Sequence, residues 1–230
     1  MGMLWLNLTF RRENKLLILN KNGMNFEKLL VFGDGLNDMG RWGTLTNKRY
    51  PPASVGFMDG RWTNGRVWVE HFAEALSLPL SFENNFAMGG ATTGYYNINE
   101  PLRTLLQLDS NISLTGMLKQ VQQLLESGAA INAQTLCVLW AGGHDIGNFL
   151  EYGQPDLNQY PPADNYALAV GQLVQAGVRH IMVSTMPDMG SAPGYFGSPK
   201  QAAATLLCQS LNAGLQQLKE KYLNTDVHYY

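Results

Sequence analysis

The residues best equipped for chemistry lie in three short glycine-rich segments. Gly33-Asp34-Gly35-Leu36-Asn37-Asp38 sets two carboxylates, Asp34 and Asp38, around a tight turn. Asn85 to Thr93, NFAMGGATT, offers Gly89 and Gly90, and Trp140 to Asp145, WAGGHD, offers His144 and Asp145. Carboxylates at such a turn can hold a divalent cation for phosphoryl transfer. Strand, glycine turn and acidic residue is also how an α/β protein builds a site at a strand's carboxyl end. Residue types alone do not choose between the enzyme classes that write such a string.

Positioning these segments requires strands that end where they begin. Residues 28–33 are an almost wholly apolar run, the mark of a central strand in a parallel sheet. Residues 135–143 and 180–187 read as further strands, and 226–230 as the start of another. Helices are predicted over 66–77, 114–127, 163–176 and 199–222, the last with Ala203, Leu206, Leu207, Leu211, Leu215 and Leu218 on its core face. Residues 41–65 read as a long loop, and 83–94 as a short strand or extended stretch. Strands alternating with helices predict an α/β fold, a doubly wound parallel sheet. In such folds GDGLND, AGGHD and PDMG all fall at the carboxyl edge of the sheet, where sites belong.

Bulk properties narrow the function further. The 230 residues suit one domain, assigned to 25–230, with 1–24 as an N-terminal appendage because Met24 opens MNFEKLLVFGD. The alternative for those first residues is an extra strand or a docking segment. Net charge is −2 and no basic stripe exists, so nucleic acid has no electrostatic footprint. Cys137 and Cys208 carry no metal spacing and read as buried reduced thiols. No apolar run has transmembrane length, and Arg11 and Arg12 follow the first apolar patch instead of preceding it, unlike a secretory signal. A cytoplasmic location is the default expectation, and the oligomeric state is left open.

Two families write a string like GDGLND. It resembles the GDGxND segment of haloacid dehalogenase-type phosphatases, whose nucleophile comes from an earlier DxDx[TV] motif. Here no Asp precedes Asp34 and no DxD follows it. The other resemblance covers residues 26 to 230. Phe32 to Gly40, FGDGLNDMG, is similar to the first block of the GDSL (SGNH) hydrolases, FGDSLSDxG, at seven of nine positions counting the variable one. Four segments follow in the family's order: Gly60 to Trp68 (GRWTNGRVW), Asn85 to Thr93 (NFAMGGATT), Trp140 to Asp145 (WAGGHD) and Pro187 to Gly190 with Pro193.

That resemblance implies a three-layer α/β/α sandwich with a flavodoxin-like sheet of order 2-1-3-4-5. It also implies a serine esterase or lipase without metal or organic cofactor, acting on small-molecule esters or lipids. The chain departs from the family's pattern at three places. Gly35 stands at the nucleophilic serine, and His144 stands at the asparagine that donates to the oxyanion. None of His71, His144, His180 and His228 follows an Asp by three positions, so the C-terminal DxxH block is not found and the domain reads as C-terminally truncated. Gly90 matches the oxyanion glycine, and Asp34, Asp38 and Asp145 are expected to support the site. The expectation is a lipase/esterase-like chain without useful esterase activity. Two other readings stay open: a non-catalytic lipid- or acyl-ester-binding protein, and a fragment of a disrupted gene.

Structural roles for the same residues stand beside these. Gly35 could serve the turn alone, Asp34 and Asp38 could cap the following helix, and His144 could be a polar strand end. His71 and His180 read as structural, and Asp188 as the organiser of the PDMG turn. The aromatic residues of 42–62 and 95–96 could line a groove or cover the loop.

Overall fold

The computed structural model describes residues 26–153, 157, 161–222 and 226–229. The appendage assigned to 1–24 lies outside them. Four parallel strands form one sheet in the order β1-β2-β3-β4: β1 Lys28–Gly33, β2 Thr135–Trp140, β3 His180–Val183 and β4 His228–Tyr229. Helices α1 Arg41–Leu45, α2 Trp68–Leu76, α3 Met117–Glu126, α4 Gly143–Tyr152, α5 Pro162–Gln175 and α6 Gln201–Tyr222 connect or flank them.

β1 is central because both of its faces are covered. Leu29, Leu30, Val31 and Phe32 are all fully buried. Leu30 and Phe32, with Cys137 and Leu139 of β2, pack against α3, α5 and α6. Leu29 and Val31, with Leu136 and Val138, pack against Val69 and Ala73 of α2. Alternate residues of one strand thus feed two cores, which gives the three layers.

The edge of β1 away from β2 is also paired. The Val31 N–H donates to Asn84 O at 2.9 Å, Phe86 N–H to Val31 O at 2.7 Å and Met88 N–H to Gly33 O at 3.0 Å. This segment makes only an isolated parallel bridge, Val31 with Asn85. Counted as a strand, it restores the expected order 2-1-3-4-5.

Several boundaries differ from the sequence reading, each for a local reason. β2 stops at Trp140, not at 143. The Tyr166 hydroxyl takes over Ala141, accepting from its N–H and donating to its carbonyl, both at 2.8 Å. Gly142 then turns at φ 132°, and α4, which the sequence did not announce, begins. β3 stops at Val183, not at 187. The Asn212 amide accepts from Met186 N–H at 2.8 Å and donates to Met186 O at 2.9 Å, replacing a strand partner. α3 starts at Met117, not at 114: Gly116 is still extended (φ −83°, ψ 169°), and the Met117 and Leu118 N–H groups donate to Thr92 O at 2.8 Å and Gly94 O at 3.0 Å. The loop read over 41–65 contains α1.

On α6 the buried stripe is Ala204, Cys208, Leu211, Leu215, Leu218 and Tyr222. Ala203 and Leu206 are exposed, contrary to the sequence reading. The alternating four- and three-residue steps back from Tyr222 keep the inner face on Cys208 and Ala204, which puts Leu206 outside. Both cysteines are free and buried.

Candidate functional site

At the end of β1 the chain must turn sharply against β2. Gly33 has φ 139°, and a Cβ there would sit 2.0 Å from Trp140 O, so only glycine fits. The Gln120 amide of α3 clasps this end, accepting from Gly33 N–H at 2.8 Å and donating to Gly33 O at 3.0 Å. The following turn closes on Asp34. Its carbonyl accepts from Asn37 and Asp38 N–H, both at 3.0 Å, and its Oδ1 from Leu36 N–H at 2.9 Å. Gly35 is the tip of this turn and is partly exposed. Its φ lies outside the left-handed region. The turn therefore does not require glycine there, and the purely conformational reading of Gly35 loses its reason.

Asp38 is buried and accepts four backbone N–H groups: Gly40 at 2.9 Å, Arg41 at 2.6 Å, Trp42 at 3.1 Å and Gly89 at 2.8 Å. Three of these donors begin α1, so Asp38 caps it as expected. The fourth ties the first turn to the Gly89-Gly90 loop. Asp34 makes its own turn and accepts from none of the N–H groups of this cap.

Gly90 has φ 86°, and a Cβ on it would meet Asn99 Nδ2 at 2.3 Å and Asn97 Oδ1 at 2.5 Å. Both asparagines are fixed, donating to Gly89 O at 3.1 Å from Asn97 and 3.0 Å from Asn99. The third segment is anchored by Asp145, which accepts from Thr93 N–H at 2.9 Å and Thr93 Oγ1 at 2.7 Å. Asp38 and Asp145 thus stand behind the site and hold its loops together.

The three segments open on one cleft of about 590 Å³. Asp34, Gly35 and Gly90 line it together with Gly143, His144 and Gly147 of α4. The structure therefore brings Gly35, Gly90 and His144 to one cleft. Trp62 is the aromatic residue of 42–62 that lines the cleft, beside Leu36, Ile98 and Asn99. Tyr95 and Tyr96 are exposed and outside it. Met186, Met189 and Tyr195 complete the lining. The sequence reading missed them because an irregular loop after β3 carries no periodic signal; the PDMG segment was its only marker. Asp188 organises that turn, accepting from Gly190 N–H at 2.9 Å, Ser191 Oγ at 2.7 Å and Thr205 Oγ1 at 2.7 Å. His71 lies exposed on α2. His180 and His228 stack at 4.7 Å at the amino-terminal edge of the sheet, away from the cleft.

The electrostatics of the cleft follow from burial. Asp34 is pushed up to about 7, first by burial and then by the neighbouring charges of Asp145 and Asp38. Asp145 is pushed up to about 6 by burial, against its bonds from Thr93. Burial also raises Asp38, while its four N–H donors pull it back. His144 is half-buried and is pushed down to about 4 by loss of solvation. Its side chain makes no hydrogen bond among the described residues. At neutral pH it is an uncharged imidazole with one N–H to give.

These shifts predict a pH profile. Asp34 and Asp145 bind protons in the folded state before the unfolded chain does. Their contribution to stability therefore rises as pH falls from about 7 towards 4. His144 works in reverse: between 6.5 and about 4 the unfolded chain takes the proton first and stability is lost. His144→Gln is expected to remove that acid-side loss. Its stability in urea relative to the parent chain should be higher at about pH 5 than at about pH 8. A difference that does not change with pH would contradict this assignment.

A family model for GDSL-like lipase/acylhydrolase matches residues 29–230. The chain belongs to that family. The match takes in GDGLND, which sets the phosphatase resemblance aside. Among curated relatives of this GDSL-family chain, a thermolabile hemolysin of Vibrio parahaemolyticus is 31% identical over 172 residues, covering 73% of this chain and 35% of that protein. A phosphatidylcholine-sterol acyltransferase of Aeromonas hydrophila is 28% identical over 173 residues, covering 73% and 47%. Acetylajmalan esterase 2 of Rauvolfia serpentina is 25% identical over 199 residues, covering 73% and 55%. The chain thus spans from about a third to about half the length of these relatives. Among the described residues no helix is long and apolar enough to cross a membrane.

Proposed function

We propose that this chain binds acyl esters or lipids in the cleft and does not hydrolyse them. The observation that carries this reading is Gly35. It lies at the tip of the turn after β1, where the family's serine would stand, in a backbone that any residue could adopt. Glycine has no oxygen with which to form an acyl-enzyme, and loss of triad members costs up to about 10⁶ in kcat. The names of the relatives, an acyltransferase and an esterase among them, support acyl groups as the ligand class.

Gly90 and His144 are read as oxyanion-type donors to a bound carbonyl, and Asp34, Asp38 and Asp145 as their supports. The reading calls for neither metal nor organic cofactor. Fatty-acyl ligands are expected to raise the melting temperature in a saturable way. The same preparation should hydrolyse a nitrophenyl ester no faster than buffer. Saturable turnover by the unmodified chain would refute the proposal.

A further inference from the structure

We propose that Tyr195 is the end wall of the cleft and that, with Gly147, it sets the length of acyl chain the cleft accepts. This deepens the binding reading above and rests on it. The cleft follows α4. Gly143 and Gly147 stand four residues apart on one face of that helix, and both line the cleft. The stretch between them is ~6 Å long, about five methylenes of an extended chain. Glu151 comes one turn later on the same face. It pairs with Lys200 at 2.6 Å, so the segment leading into α6 crosses the helix there.

The helix itself gives no reason for glycine at 147. Gly147 lies inside α4 with φ outside the left-handed region, and glycine weakens a helix interior relative to alanine. A Cβ on it would meet only the Tyr195 hydroxyl within 4 Å, at 3.5 Å, an ordinary contact. Neither backbone nor packing demands glycine at this place. What a longer side chain would take up is the space in front of Tyr195. Met186 lies in the same way over Gly143, its Cε 3.5 Å from the place of a Cβ. The α4 wall is thus bare backbone, faced by two side chains of the loop after β3.

Tyr195 closes the far end of this passage. Its N–H donates to Ala192 O at 2.9 Å in a turn of that loop. Glu151 and Lys200 both act on its hydroxyl, and their ion pair is exposed. An acyl chain whose carbonyl sits at the Gly35 and Gly90 end runs over Gly143 and Gly147 and stops there. A methylene pushed past Tyr195 meets a hydroxyl and a hydrated ion pair, and gains nothing from burial.

The test measures binding of methyl butanoate, methyl octanoate and methyl dodecanoate to the whole chain by calorimetry and thermal shift, each below its solubility limit. Each methylene taken out of water adds roughly fourfold, so octanoate is expected to bind at least about tenfold more tightly than butanoate. Dodecanoate is expected to stay within about threefold of octanoate. Tyr195→Ala should open the end and give dodecanoate at least about a tenfold gain over octanoate. Gly147→Leu, acting from the opposite wall, should cost octanoate at least about tenfold and butanoate less than about threefold. Circular dichroism identifies the folded variants. A continued gain from octanoate to dodecanoate in the parent chain, or an unchanged length profile in either folded variant, would overturn the end wall and leave the binding reading standing. Binding of none of the three esters to the parent chain would overturn both.

Discussion

Asp38→Ala is expected to destabilise the chain more than any other change at the site. Its carboxylate is the common acceptor of four N–H groups from two segments far apart in sequence, Gly40, Arg41 and Trp42 on one side and Gly89 on the other. Each buried N–H left without a partner costs about 1–3 kcal/mol. Four such groups put the loss upward of about 4 kcal/mol, against a total stability of about 5–15 kcal/mol for a domain. Asp38→Asn keeps the shape and one acceptor oxygen, but turns an NH₂ group towards N–H donors, so it should fall between. Urea titration of both variants checks this. A loss under about 1 kcal/mol in the alanine variant would show that the two loops do not depend on this carboxylate.

Gly90→Ala is the second large effect, and it strikes the site itself. The left-handed φ of 86° alone costs a non-glycine residue on the order of 1–3 kcal/mol. The new methyl also falls 2.3 Å from Asn99 Nδ2 and 2.5 Å from Asn97 Oδ1. Neither amide can swing away freely. Asn97 donates to both Gly89 O and Thr115 O at 3.1 Å, and Asn99 donates to Gly89 O. The loop must move, taking the Gly90 N–H out of the cleft. Acyl-ligand stabilisation should therefore disappear at a temperature where circular dichroism still shows a folded chain. Retained ligand stabilisation in a folded Gly90→Ala variant would remove Gly90 from the binding account.

The parallel sheet and the gathering of three glycine segments at its edge were legible in the sequence. Leu29 to Phe32 and Leu136 to Leu139 are uninterrupted apolar runs that only a doubly covered strand explains. What escaped was set by single tertiary contacts with no local pattern. The Tyr166 hydroxyl ends β2, and the Asn212 amide ends β3. α1 has five residues, too few for a periodic stripe, and depends on Asp38 for its start. α4 opens on glycine directly after a strand and carries Gly147 within it, so its residues read as loop. At the site, the role of Asp38 as a clasp between two loops needed the Gly89 N–H, 51 positions away. The sequence also could not distinguish a turn that needs glycine at 35 from one that merely has it; the backbone angle does.

The claim that binding here is uncoupled from hydrolysis is tested most directly by restoring the hydroxyl. In Gly35→Ser the backbone is compatible and Trp62 must give by only a few tenths of an ångström, so the variant should fold. None of the four histidines in these 230 residues is placed to serve as its base. His144, the one histidine lining the cleft among the described residues, is held near pKa 4, and His71, His180 and His228 lie elsewhere. The measurement is the initial rate of nitrophenyl ester hydrolysis by the parent chain and by Gly35→Ser over a range of enzyme concentrations. Both are expected to match buffer. Saturable hydrolysis proportional to enzyme, from either protein, would contradict the account.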